Sequence, residues 1–256
     1  MRIVSLCPSL TELVFALGRG EDLVGVTEWC VHPVDGVARI EKVGGTKTPD
    51  VGRIVELEPD LVLMNEEENR REDAQSLRRS GLECHVSMPR DAVETAAMVR
   101  SIAAAIQRPA AGDAIAGDIE RRIVEAKLKS ADKPRVRIAY LIWRKPYMAV
   151  NGDTYASALL ELAGGVNVFA DRKERYPEIT ADELARAAPD VVLLCTEPFP
   201  FQERHADELA QLTGLARHRF EIADGEYLSW HGSRTPAGID YAVSRIEGAR
   251  SAISAV

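Results

Sequence analysis

Ile54-Val-Glu-Leu-Glu-Pro-Asp-Leu-Val-Leu-Met64 decides the fold, because the chain repeats it as Leu184-Ala-Arg-Ala-Ala-Pro-Asp-Val-Val-Leu-Leu194. The two Pro-Asp steps lie 130 residues apart. In each copy an apolar helical pattern runs into proline, which cannot continue the helix, and a wholly apolar run follows. Such a run reads as a strand of a parallel sheet covered on both faces. A second echo supports the first: Leu13-Val-Phe-Ala-Leu-Gly18 and Leu159-Leu-Glu-Leu-Ala-Gly164 are both helices closed by glycine.

Outward from these repeats, strands and helices alternate. Strands are predicted over Arg2–Leu6, Asp22–Val26, Leu61–Met64 and Glu83–Ser87, with helices over Leu10–Leu17, Val51–Leu57 and Arg70–Arg79. Glu66-Glu-Glu68 reads as the acidic start of the last helix. Ala111 to Ser130 carries the stripe Ile115, Ile119, Ile123 and Leu128, a helix about 30 Å long. Val136 to Ile142 then begins a new strand. The fold class is α/β: two Rossmann-like, three-layer α/β/α lobes bridged by a single long helix, with a ligand cleft between the lobes. Residues 1–108 form the first lobe, 109–133 the bridge and 134–256 the second lobe.

Composition narrows the function. The 256 residues are 46% apolar and 28% charged, with 32 Lys and Arg against 40 Asp and Glu, a net charge of −8. There is no basic run to attract nucleic acid or an anionic membrane, and no apolar run long enough to span one. The first residues lack the layout of a secretory signal, and Cys7, Cys30, Cys84 and Cys195 are scattered like reduced thiols. The chain as written therefore reads as cytoplasmic, or as periplasmic or extracellular if an export signal has been trimmed.

Catalytic signatures are absent: no nucleophile elbow, P-loop, zinc-protease helix or dinucleotide fingerprint occurs. The aromatics instead gather where strands end, which is where open α/β sheets bind ligands. Trp29 lies in Thr27-Glu-Trp-Cys-Val-His-Pro33, and Trp143 and Arg144 in Ile142-Trp-Arg-Lys-Pro-Tyr147. Tyr176 lies in Arg175-Tyr-Pro-Glu-Ile-Thr180, while Trp230, His231 and Arg234 lie in Tyr227-Leu-Ser-Trp-His-Gly-Ser-Arg-Thr-Pro236. Flat rings suit a large planar ligand, and the arginines suit its carboxylates, phosphates or amides. His231 is placed to serve as an axial ligand to a metal carried by that molecule, or as a polar loop residue. Cys30 and His32 are the one candidate metal pair, with a buried thiol and a capping imidazole as the plainer reading.

Val4-Ser-Leu-Cys-Pro-Ser-Leu-Thr-Glu-Leu13, Leu23-Val-Gly-Val26, the Ile54 to Val62 unit, Val150-Asn-Gly-Asp153 and Tyr176-Pro-Glu-Ile179 together resemble the helical-backbone substrate-binding proteins of ATP-driven importers. The similarity is greatest to the cobalamin-binding branch. It implies two lobes joined by one helix, a cleft lined by aromatics from both, and a non-enzymatic role. Trp29, Trp143, Tyr176 and Trp230 carry over as ligand contacts, oriented by Arg144 and Arg234. Two further aromatics of that pattern are replaced, near Thr46 to Thr48 and at Asn65. The glutamates that such proteins present to a permease are also missing: Gly52 and Asp182 stand there, with Glu183 adjacent.

The expected function is binding of a cobalamin-like corrinoid or other metal chelate, with no cofactor required. The alternatives are direct binding of a transition-metal ion, and a two-lobed chelatase-like enzyme using His231 or His32 with Glu67.

Overall fold

The fold is that of a computed structural model, which describes residues 1–254. Contacts divide the chain into two compact units. Unit 1 comprises Met1–Pro89, Val93–Asp118 and His231–Arg234; unit 2 comprises Arg90–Ala92, Ile119–Trp230 and the chain from Thr235.

In unit 1, β1 (Ile3–Ser5), α1 (Pro8–Ala16), β2 (Leu23–Val26), α2 (Val34–Val37), β3 (Glu41–Lys42), α3 (Val51–Glu56), β4 (Leu61–Asn65), α4 (Arg71–Arg79), β5 (Cys84–Ser87) and α5 (Ala92–Ala105) follow in order. The strands form one parallel sheet, β3-β2-β1-β4-β5. All five residues of β4 are buried, as expected of a strand covered on both faces. Val4, Leu6, Val62 and Met64 pack with Ile54 and Leu77 on one of those faces.

The chain leaves unit 1 within α6 (Pro109–Ser130). Pro109 opens this helix, two residues before the stripe begins, because the first helical turn needs no N–H there. Ala116, Ile119, Ile123 and Ala126 are its buried apolar residues, whereas Leu128 is exposed, so the stripe is narrower than the sequence pattern predicts.

Unit 2 holds β6 (Val136–Arg144), β7 (Tyr147–Ala149), α7 (Tyr155–Leu162), β8 (Gly165–Asn167), β9 (Glu178–Ile179), α8 (Ala181–Ala187), β10 (Val191–Cys195), α9 (Glu203–Thr213), β11 (Phe220–Ala223), α10 (Gly225–Ser229) and α11 (Thr235–Ser254). Its sheet runs β11-β10-β6-β7-β9, with β8 also on β6. The first residues of β6 pair with β8 in parallel, and its last residues pair with β7 antiparallel.

The Pro-Asp repeat is built the same way in both units. Asp60 Oδ2 accepts the N–H of Arg2 at 2.7 Å, and Asp190 Oδ2 accepts that of Arg137 at 2.8 Å. Each aspartate returns its own N–H to the same arginine's carbonyl at 2.8 Å. Each arginine then reaches the end of the preceding helix, Arg2 to Leu57 O and Arg137 to Ala187 O, both at 2.7 Å. These bonds satisfy carbonyls that a helix end leaves without partners. Glu58 and Ala188, just before the two prolines, take left-handed φ values of 45° and 44° to make the reversal.

Candidate functional site

In unit 1 the loops at the carboxyl ends of the strands are tied together by two asparagines. Asn69 accepts the Asn65 N–H at 2.8 Å, and its amide donates to Leu6 O (2.9 Å) and Thr46 O (3.0 Å). Asn65 Oδ1 accepts the N–H groups of Glu67 (2.9 Å) and Glu68 (3.1 Å), so Glu66–Glu68 fold as a turn. The predicted acidic helix start is therefore displaced: α4 begins at Arg71, with Glu72 and Asp73 in its first turn.

With Oδ1 engaged, the Asn65 amide nitrogen faces His231 Nε2 at 3.0 Å. An amide nitrogen only donates, so Nε2 accepts and the imidazole proton sits on Nδ1. His231 is buried, and burial pushes its pKa down to about 4. In this arrangement the ring holds the 231–234 segment on unit 1 and has no lone pair left to offer as an axial ligand. Arg234 Nε meets Glu12 Oε2 at 2.6 Å in the same unit.

Trp29 follows β2 and is 63% exposed. Its neighbour holds the turn: the buried Cys30 thiol lies 3.1 Å from both Thr11 Oγ1 and Thr27 Oγ1. Ser5 Oγ lies 2.9 Å from Thr11 Oγ1 in the same nest. His32 is half-buried beyond it. Among the described residues no group of three or more His, Cys, Asp and Glu side chains is placed to hold a metal ion. Cys30 and His32 thus lack the further ligands a tetrahedral site requires.

In unit 2, β6 runs on to Arg144, two residues past the predicted end, because Trp143 pairs with Met148 and Arg144 with Tyr147. Trp143 therefore stands on a strand rather than in a loop, and is 39% exposed. Its ring meets Phe199 edge-on, with centroids 5.8 Å apart. Phe199 in turn packs on Phe201 (4.8 Å) and His205 (5.3 Å). The loop carrying Phe199 is fixed by its N–H bond to Ile142 O at 3.4 Å. Sequence reasoning missed Phe199, although Glu197-Pro-Phe-Pro-Phe201 directly after a buried strand was its signal.

Arg144 is not a bare cation. Its guanidinium bonds Glu208 Oε2 at 2.5 Å, and Tyr147 Oη donates to Glu208 Oε1 at 3.2 Å. The Arg144 hydrogen bond holds the Glu208 carboxyl below its usual range. Tyr176 is half-buried beside β7, where Ala149 N–H donates to Pro177 O at 3.0 Å. Trp230 is buried at 9% exposure and offers little ring surface in this state. Beyond β10 and β11 lies a cavity of about 540 Å³, lined by Thr196, Glu197, Ile222, Asp224, Glu226 and Tyr241.

The two positions matched to permease-docking glutamates are both in first helical turns, Gly52 in α3 and Asp182 in α8. Glu183 caps α8 by bonding Thr180 and also pairs with Arg172 at 2.6 Å. The Arg172 hydrogen bond is the main reason its pKa falls to about 2. No helix among the described residues is long and apolar enough to cross a membrane.

A family model described as periplasmic binding protein matches residues 3–219. The vitamin B12-binding protein of Vibrio cholerae is 28% identical over 191 residues, covering 75% of this chain and 69% of that protein. That of Vibrio parahaemolyticus is 27% identical, covering 80% and 71%. Among solved structures, the periplasmic vitamin B12 binding protein of Vibrio cholerae superposes with a TM-score of 0.84 at 24% identity, over 97% of each chain. The periplasmic heme-binding protein of Roseiflexus sp. RS-1 superposes with a TM-score of 0.82 at 25% identity, over 97% of this chain and 98% of that one.

Proposed function

Since the chain belongs to the periplasmic binding protein family, whose members bind substrates and are not enzymes, we propose that it binds a corrinoid or closely similar metal chelate. The chelatase-like reading is set aside with that membership. In the proposed mode Trp29 of unit 1 supplies one aromatic surface, and Trp143, Phe199 and Tyr176 of unit 2 supply another. The observation that carries the reading is the pair Trp143 and Phe199, an aromatic platform at the carboxyl end of the β6–β10 edge. Rings held by a hairpin and a bonded loop contact a planar macrocycle with little entropy left to lose. Trp230 and His231 serve this reading as supports rather than contacts. At the positions matched to docking glutamates, Gly52 has no side chain, and Glu183 beside Asp182 is committed to Thr180 and Arg172.

Titration with cyanocobalamin, followed by tryptophan fluorescence, tests the proposal. Saturable one-to-one quenching is expected, with affinity falling about 10-fold or more in Trp143→Ala. A flat trace with cobalamin overturns the corrinoid assignment, and an unchanged affinity in Trp143→Ala overturns the platform.

A further inference from the structure

Arg234, Arg144, Arg175 and Arg90 are each already matched by a carboxylate of their own unit. In unit 1, Arg234 is paired with Glu12 at 2.6 Å. In unit 2, Arg144 is paired with Glu208 at 2.5 Å, while Arg175 (2.7 Å) and Arg90 (3.3 Å) share Asp153. The Arg234 and Arg144 pairs are partly sheltered, with side-chain exposures between 19% and 35%.

The remaining charge at these strand ends is mostly negative. Glu66, Glu67 and Glu68 follow β4, where Lys47 Nζ bonds the Glu67 carbonyl. Glu197, Asp224 and Glu226 line the cavity beyond β10 and β11. Lys145, exposed at the hairpin turn, is the counterweight on that side.

Resting on the binding function proposed above, we infer that the site accepts neutral or cationic chelates and rejects anionic ones. An anionic ligand has to break an existing ion pair to reach a guanidinium, leaving Glu12 or Glu208 without its partner. Otherwise it sits among carboxylates of like sign. An amide-bearing ligand meets neither obstacle: its carbonyls can share a guanidinium N–H with the carboxylate in place, and its N–H groups can donate to the glutamates. The glutamates thus convert what looks in sequence like an anion-binding arginine set into a filter against anions.

The test compares two corrinoids with the same ring and the same axial cyanides. Dicyanocobinamide carries side-chain amides, whereas dicyanocobyrinic acid carries free carboxylates instead. The amide form is expected to bind about 100-fold more tightly at low ionic strength. In the double variant Glu12→Gln, Glu208→Gln that gap should narrow about 10-fold, because both guanidinia become available to carboxylates. Equal binding of the two forms by the unaltered protein overturns the charge filter while leaving the corrinoid reading intact. An undiminished gap in the double variant overturns the role of these glutamates. Failure of both forms to bind the unaltered protein overturns the corrinoid reading itself, and the filter with it.

Discussion

The strand order β2-β1-β4-β5 of unit 1 recurs in unit 2 as β8-β6-β10-β11, down to the aspartate that caps the first strand and the arginine that caps the helix before it. The units part at the carboxyl ends. In unit 1 the chain passes from β1 directly into α1, with only Leu6 and Cys7 between. In unit 2 the hairpin of β6 and β7 is inserted at that point, and it carries Trp143 and Arg144 outward. β4 and β10 end on equivalent residues of different chemistry, Asn65 and Cys195. The starts of these strands are held by geometry that tolerates little change, whereas their far ends are free to vary. Residues that distinguish the two units are therefore the ones to examine for function.

The largest test of that contrast is the pair of terminal residues. The Asn65 side chain holds its own turn and a buried histidine, so Asn65→Ala should cost about 3 kcal/mol by leaving the Glu67 and Glu68 N–H groups and the imidazole unmet. Cys195, which contacts Tyr140 Oη (2.7 Å) and Glu197 O (2.5 Å), serves one loop only. Cys195→Ala should cost about 1 kcal/mol. Urea midpoints of the two variants check this, and equal losses would break the asymmetry.

A second effect is read at His231 in unit 1. The His231 imidazole titrates at about 4 when folded, against an ordinary 6.5. As pH falls, the unfolded chain takes up this proton first. The stability gained from the neutral ring is intact above about 6.5 and is lost progressively down to about 4, on the order of 3 kcal/mol in all. Urea midpoints at pH 7 and pH 4.5 should differ accordingly, and His231→Gln should shrink the difference.

The smallest effect returns to the shared frame. Glu58→Gly and Ala188→Gly relieve the same left-handed strain, and each should raise stability by about 0.5 kcal/mol, read as a rise in Tm. A gain in one unit only would show that the two reversals are less alike than their φ values suggest.

The frame was legible in the sequence because it rests on local rules: proline ends a helix, glycine closes one, and an unbroken apolar run lies in a covered strand. Gly18 and Gly164 do take the expected left-handed φ, at 72° and 101°. The far ends of the strands were less legible because distant pairing shapes them. Residues 143 and 144 became strand only through Met148 and Tyr147. Arg144 and Arg234 appeared available because Glu208 and Glu12 lie 64 and 222 residues away in sequence. His231 likewise gained its role from Asn65, 166 residues distant. Of the sequence-predicted aromatics, Trp29 and Trp143 present their rings, while Trp230 is enclosed.

All four cysteines are free thiols and all are buried, three in unit 1 and one in unit 2. Burial pushes Cys7 and Cys195 up to about 12, so neither offers appreciable thiolate at neutral pH. The native chain is therefore chemically quiet toward alkylating reagents, and each modification records a moment when a unit opened. Cys195 clocks the opening of unit 2, and Cys7, Cys30 and Cys84 clock that of unit 1, so the molecule carries its own pair of unfolding timers.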